Sequence, residues 1–291
     1  MAKGLGAMDL KKMLQTTART LTGKSIVGLF YGGSGSGKTA FCRDLPRPIL
    51  VHLFDPDGAK PLIEMNTTDG INLWETGNLI VEDFSDEDLN DPKQYEAWRK
   101  RFDELRGTSR FFNNVGTFVL DSATTLGMAI WAQVLKLRKK NTNVMAEVDL
   151  DEFTPAKNVM MRAIRDILSL PCNVVIIAHE AVQEDKQLGT ITRTPAFIGN
   201  QRITVPLLFS EVWHFVPTTT AKNGFGVRIQ VLSCARVHAK TRMGGNGVFK
   251  VYEENESFLS LCKKAKREII HKQSFIEALQ KQQQEEGVEA K

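Results

Sequence analysis

The sequence is short of the features that would take it out of the ordinary globular class. No apolar run approaches the roughly 18 residues that cross a bilayer, so no membrane partner is expected. The opening residues, MAKGLGAMDLKKML, lack the apolar core and small-residue cleavage site of a secretory signal. The expected location is a cytoplasm, that of the host if the source is viral. Cysteines are few, at 42, 172, 234 and 262, with no C-x-x-C pair. That spacing suits neither a disulfide framework nor a zinc site, and reduced, buried thiols are the reading it favours. No internal repeat is visible. With 42% hydrophobic and 25% charged residues, disorder and collagen-like repeats are excluded as well.

What remains is a 291-residue chain, enough for one large domain or two small ones with a substantial core. Its formal charge of +4 is unevenly spread. Residues 82–91 hold six acids, whereas residues 182–250 hold nine Lys/Arg against three acids. A basic excess of that kind suits a phosphate-bearing partner or a solvated face.

Short apolar runs at Ser25–Tyr31, Ile49–Phe54, Thr117–Leu120 and Asn173–Ala178 have the character of strands covered on both faces. Helix-length stretches lie between them at Thr39–Leu45, Asp91–Arg106, Thr124–Lys139 and Pro155–Leu170. The alternation predicts an α/β fold with a mostly parallel central sheet and helices on both faces. Residues 181–204 show little periodicity and read as a long loop. Strand candidates at Glu211–Val216, Arg228–Ser233 and Val248–Tyr252 read as an antiparallel edge extension. The expected division is an N-terminal helical segment over 1–21, a core domain over 22–261, and a polar, helix-prone, frayed tail over 262–291.

The strongest local signal is Gly32-Gly33-Ser34-Gly35-Ser36-Gly37-Lys38-Thr39, a full G-x-x-x-x-G-K-[ST] between a strand and a helix start. Small residues let successive backbone N–H groups turn inward around a β-phosphate, and the helix dipole adds positive potential. Lys38 supplies a point charge to the β- and γ-phosphates, and the Thr39 hydroxyl is a ligand for Mg²⁺. A chance match in a chain of this length is on the order of one in a hundred. ATP and Mg²⁺ are therefore the expected ligands. Asp121, closing the run Phe118-Val119-Leu120, is the second acid that such a loop needs for its metal, although an Asp in that place can also be a plain turn residue.

The order of these motifs, with Asp55-Pro56-Asp57 after the second strand and Ile176-Ile177-Ala178-His179 later, resembles the RecA-like P-loop ATPase core of recombinases and DnaB-type helicases. The resemblance spans roughly residues 22–255. It implies Asp57 as the catalytic base, where the family usually has Glu, with Asp55 the nearest substitute. It implies His179 as a γ-phosphate sensor. Lys240-Thr241-Arg242-Met243-Gly244 resembles the K-x-R-x-G element whose basic pair reaches a neighbouring subunit's nucleotide. By length and architecture the chain is similar to short RecA-like or AAA ATPases of bacteriophages, including Sak-type single-strand annealing proteins.

That resemblance implies a DNA-stimulated ATPase of recombination or replication, working as a homo-oligomer (ring or filament) on single-stranded DNA, with a single-strand binding protein as a further partner. Two basic stretches fit DNA-facing positions: Lys139 and Lys140, and the segment carrying Lys186, Arg193 and Arg202 around Phe197. Phe197 can stack on a base or pin the loop to the core. Two other readings remain open: an ATP-dependent switch or loader that processes no nucleic acid, and a small-molecule kinase.

Overall fold

The computed structural model describes residues 26–280, except 57, 59, 65–66, 69, 86–92, 109, 138–149, 187–188, 220–223, 235, 246 and 279. The expected helical segment at 1–21 and the end of the tail from 281 lie outside the described residues.

Strand β1 (Val27–Gly32) runs into the glycine loop and a one-turn helix, α1 (Lys38–Phe41), continued by a 3-10 turn at Cys42–Asp44. After β2 (Ile49–Leu53) come a short helix, α2 (Lys60–Glu64), a two-residue hairpin of β3 (Thr67–Thr68) and β4 (Ile71–Asn72), and β5 (Leu79–Asp83). Helices α3 (Gln94–Gly107) and α4 (Phe111–Asn114) lead to β6 (Thr117–Asp121). Next are α5 (Ala123–Leu137), α6 (Leu150–Leu168), β7 (Asn173–Asp185) and β8 (Thr190–Pro195). A short helix, α7 (Gln201–Thr204), precedes β9 (Glu211–Thr218), β10 (Gly226–Gln230), β11 (Tyr252–Glu254) and α8 (Phe258–Lys264).

The sheet order is β11-β10-β9-β1-β7-β6-β2-β5, with β8 hairpinned onto β7. From β9 to β5 all neighbours are parallel. Their carboxyl ends therefore emerge along one edge, where Gly32 is level with His179 and Leu53 with Asp121. The continuous apolar runs follow from burial on both faces. In β1, Leu29 and Tyr31 enter one core cluster and Phe30 the other; in β7, Val174 and Ile176 face one way and Val175 and Ile177 the other. On the first face α6 buries Ala156, Met160, Ala163, Ile164 and Ile167, spaced at helical period. On the second, Phe30 stacks on Trp213 with centroids 5.0 Å apart, pinning β1 to β9.

Several expectations need correction. The helix expected over Thr39–Leu45 is present as an α turn continued by the 3-10 turn to Asp44, before the chain turns through Leu45–Pro48 into β2. Helices α3, α5 and α6 fall within a few residues of their expected spans, α6 starting at Leu150 instead of Pro155. The stretch 181–204 is not a loop: β7 continues to Asp185, and β8 returns beside it. Gly189 has a φ of 58°, a backbone conformation that glycine adopts freely and that permits the reversal. The β-branched run Thr190-Ile191-Thr192 suits that pairing. β9 is parallel to β1, and the antiparallel extension starts at β10. The third edge strand covers Tyr252–Glu254 and not Val248–Tyr252.

The tail is not frayed through its described part. The Arg47 backbone N–H donates to His271 Nδ1 at 3.0 Å, and the Lys272 N–H donates to the Arg47 carbonyl at 2.8 Å. Phe275 then stacks on Phe111, 5.9 Å between centroids. Among the cysteines, 42, 172 and 262 are buried and unpaired as expected, while Cys234 is exposed. No helix among the described residues is long and apolar enough to cross a membrane.

Candidate nucleotide site

The loop that follows β1 owes its shape to its glycines. Gly35 and Gly37 sit at φ 70° and 87°, in the left-handed region that side chains with a Cβ avoid. A Cβ on Gly32 would stand 2.3 Å from the Phe215 carbonyl oxygen of β9. The tight β1–β9 contact therefore sets where the loop begins. Lys38, 6% exposed, donates to the carbonyls of Gly32 (3.0 Å) and Gly33 (2.7 Å) and to Ser36 Oγ (3.1 Å). Burial pulls its pKa down, and the carboxylates of Asp121, Asp55 and Glu180 oppose that pull. The ammonium is thus held at the mouth of the loop among three acids.

Thr39 and Asp121 come together although 82 residues apart: the hydroxyl donates to Asp121 Oδ2 at 2.5 Å. Asp121 is 2% exposed. Burial raises its pKa from 3.8 to about 6, with Asp55 nearby adding to the rise and the Thr39 hydroxyl opposing it. A buried carboxylate beside a hydroxyl, at the base of an amide-lined glycine loop, suits a hard divalent cation whose other ligands are phosphate oxygens. The residues fit Mg²⁺ with a nucleotide, Thr39 and Asp121 being the protein groups that would hold the ion.

Beyond β6 stands a second cluster. Asp55 accepts from Ser122 Oγ at 2.8 Å, from Thr125 Oγ1, and pairs with His179 Nε2 at 3.0 Å. Burial pushes its pKa up, but these hydrogen bonds prevail and hold the carboxyl below its ordinary range. His179 is fixed a second time by its backbone N–H on Thr124 Oγ1, 3.0 Å. Asp57, the expected base, lies outside the described residues, as do Lys139 and Lys140.

A third cluster was not foreseen as such. Glu180 Oε1 accepts from Arg193 Nη1 at 3.1 Å, and Glu180 Oε2 pairs with His214 Nε2 at 3.0 Å. A Cβ on Gly33 would lie 3.4 Å from Glu180 Oε1, so this network forms one wall of the phosphate loop. The readable signal was Glu180 following His179 at the carboxyl end of a core strand. Its partners come from β8 and β9, which no local pattern announces.

The remaining expected residues are dispersed. Lys186 is exposed at the tip of the β7–β8 hairpin, and Arg202 lies in α7. Phe197 packs against the core and lines an apolar cavity of about 370 Å³ with Trp131 and Phe153. Lys240 and Arg242 lie far from the loop of their own chain. Lys240 bridges to Val212 through both backbone groups, 2.8 and 2.9 Å. Glu211, 1% exposed, accepts from Thr241 Oγ1 at 2.5 Å and the Arg242 N–H at 3.1 Å. Glu211 pairs with Gly28 and Phe215 with Gly32. At the usual rise per strand residue, this strap sits about 13 Å down the strand from the loop.

A parallel sheet carrying a glycine loop on one strand and delivering an acid from another to the loop's threonine defines a P-loop nucleoside triphosphatase fold. The family model described as an AAA domain matches residues 24–243, well over half of the chain, and the chain belongs to that family. The domain suggests ATPase activity and implies nucleotide binding, usually with Mg²⁺. No curated protein matches the chain.

Proposed function

We propose that the protein hydrolyses Mg-ATP in an oligomer that acts on single-stranded DNA, as in bacteriophage recombination or replication. The observation that carries the ATPase part is the Thr39–Asp121 contact, with the Lys38 ammonium in electrostatic reach of Asp121. In this reading the loop amides and Lys38 bind the β- and γ-phosphates, while Thr39 and Asp121 hold Mg²⁺. Bound there, the ion neutralises charge on the phosphate oxygens. His179, oriented by Asp55 through Nε2, 36% exposed as a side chain and level with Gly32 on the neighbouring strand, serves as the γ-phosphate sensor. Asp55 already accepts three hydrogen bonds and its depressed pKa makes it a weak base, which leaves Asp57 as the group that takes the proton from water.

Support for assembly comes from the position of Lys240 and Arg242. Set well down the strand from their own loop, on a strap held by buried Glu211, they suit contact with a neighbouring subunit's nucleotide. Support for DNA comes from Lys186 on a hairpin rooted at the nucleotide site, and from Arg202, whose guanidinium lies beside Gln183 of the same hairpin. Such cations neutralise backbone phosphates without reading sequence. The alternative is a nucleotide switch or loader with no direct action on DNA.

One assay separates them. Arg242→Ala should bind ATP normally yet hydrolyse it roughly 10³-fold more slowly, the scale of an arginine finger. Mixing it with Lys38→Ala, itself inactive, should restore part of a turnover that single-stranded DNA stimulates. No rescue on mixing, with no stimulation by DNA, would favour the switch.

A further inference from the structure

The Glu180–Arg193 pair has no part in the reading above, and its position gives it one. Glu180 and Arg193 lie on the same face of the β7–β8 hairpin, at diagonal positions set by the pairs Glu180–Pro195 and Val182–Arg193. Their ion pair stands against Gly33, within the loop that would receive the phosphates. The Arg193 side chain is 40% exposed and Glu180 19%, so the guanidinium keeps donors on its open side. Its backbone is anchored nearby: the Arg193 N–H donates to the Arg236 carbonyl at 3.3 Å, and the Tyr31 hydroxyl, just ahead of the loop, lies 3.5 Å from the Arg193 carbonyl.

We propose that Arg193 is a ligand of the γ-phosphate in its own subunit, held ready by Glu180 and passed from that carboxylate to the nucleotide when a triphosphate binds. The proposal rests on the P-loop reading and adds to His179 a second residue that tells triphosphate from diphosphate. A γ-phosphate placed beside Gly33 is a second anion close to Glu180. It competes for the guanidinium, whose planar fork matches phosphate oxygens in two-point contact. Glu180 is not stranded by the exchange, because His214 Nε2 remains on its other oxygen. His214 is 2% exposed, so that second contact is fixed by the core. A diphosphate ends short of this position and leaves the pair closed.

The test compares equilibrium affinities for Mg-ATPγS and Mg-ADP in the wild type, Arg193→Gln and Glu180→Gln. Arg193→Gln should lose about tenfold in ATPγS affinity, the scale of one charged contact, with ADP changed less than about twofold. Glu180→Gln frees the guanidinium, so it should bind ATPγS as tightly as the wild type or more so. It carries the test alone if Arg193→Gln does not fold. Equal losses for both nucleotides in Arg193→Gln, or weakened ATPγS binding in Glu180→Gln, would overturn the proposal. A wild-type protein that binds neither nucleotide would overturn the P-loop reading first, and this proposal with it.

Discussion

Replacing Asp121 by asparagine should make the nucleotide-free protein more stable while weakening its hold on Mg-ATP. Asp121 is buried, and its pKa in the folded chain is about 6 against an ordinary 3.8. Folding therefore disfavours the ionised form. The penalty is absent below about pH 3.8, grows as pH rises, and is complete above about 6. At pH 7.5 that gap amounts to about 3 kcal/mol, and at pH 5 to about 1.6 kcal/mol. Asparagine keeps the shape and an oxygen for the Thr39 hydroxyl but carries no charge. Its extra N–H groups lose some of the gain, leaving about 1–3 kcal/mol at pH 7.5. Urea unfolding of both proteins without nucleotide, at pH 7.5 and again at pH 5, measures this. The variant should be the more stable, with a margin that narrows by about half at the lower pH. With Mg-ATP at a hundredfold excess over the wild-type Kd the margin should shrink, because the wild type gains about 2.7 kcal/mol and the variant, lacking the carboxylate for the metal, gains less. A variant less stable at both pH values by the same amount would refute the reasoning, since burial of charge would then not be what sets Asp121 apart.

Two further outcomes follow from the packing. Gly32→Ala places a Cβ 2.3 Å from the Phe215 carbonyl oxygen, backbone that cannot swing aside. It should cost about 1–3 kcal/mol in thermal unfolding and weaken ATP binding with it. Burial pushes the Glu82 carboxyl up, but His52 and Arg101 outweigh it and bring the pKa down from 4.5 to about 2. His52 accepts from Trp98 at Nδ1 and is itself held neutral by burial, so Arg101 is the charged partner. Glu82 therefore contributes stability above about pH 4.5 that disappears as pH falls toward 2. After screening at this half-exposed pair it is about 1–2 kcal/mol, and Glu82→Gln should flatten that limb of the acid-unfolding curve.

The parts of the site that were legible in the sequence are those whose chemistry is local. Gly32–Thr39 carries its geometry in its own glycines, and Asp121 is marked by the apolar run that buries it. The parallel sheet was legible because strands covered on both faces cannot alternate in polarity. The Glu180–Arg193–His214 network was not, because three strands meet to make it and only sheet register brings them level. The β7–β8 hairpin was read as a loop because Gln183, Glu184 and Asp185 look irregular until the Thr190–Pro195 strand pairs with them. The residues after α8 looked like a tail because their anchors are few: His271, Lys272 and Phe275 each meet a partner more than 150 residues away.

The central claim is that Gly32–Thr39 holds the phosphates of ATP, and calorimetric titration of Mg-ATP into the wild type and Lys38→Ala tests it most directly. Lys38 is the cation fixed at the mouth of the loop by Gly32, Gly33 and Ser36. Its removal should raise Kd at least about tenfold, or about 1.4 kcal/mol, with the fold intact by circular dichroism. Equal affinity in the two proteins would contradict the account.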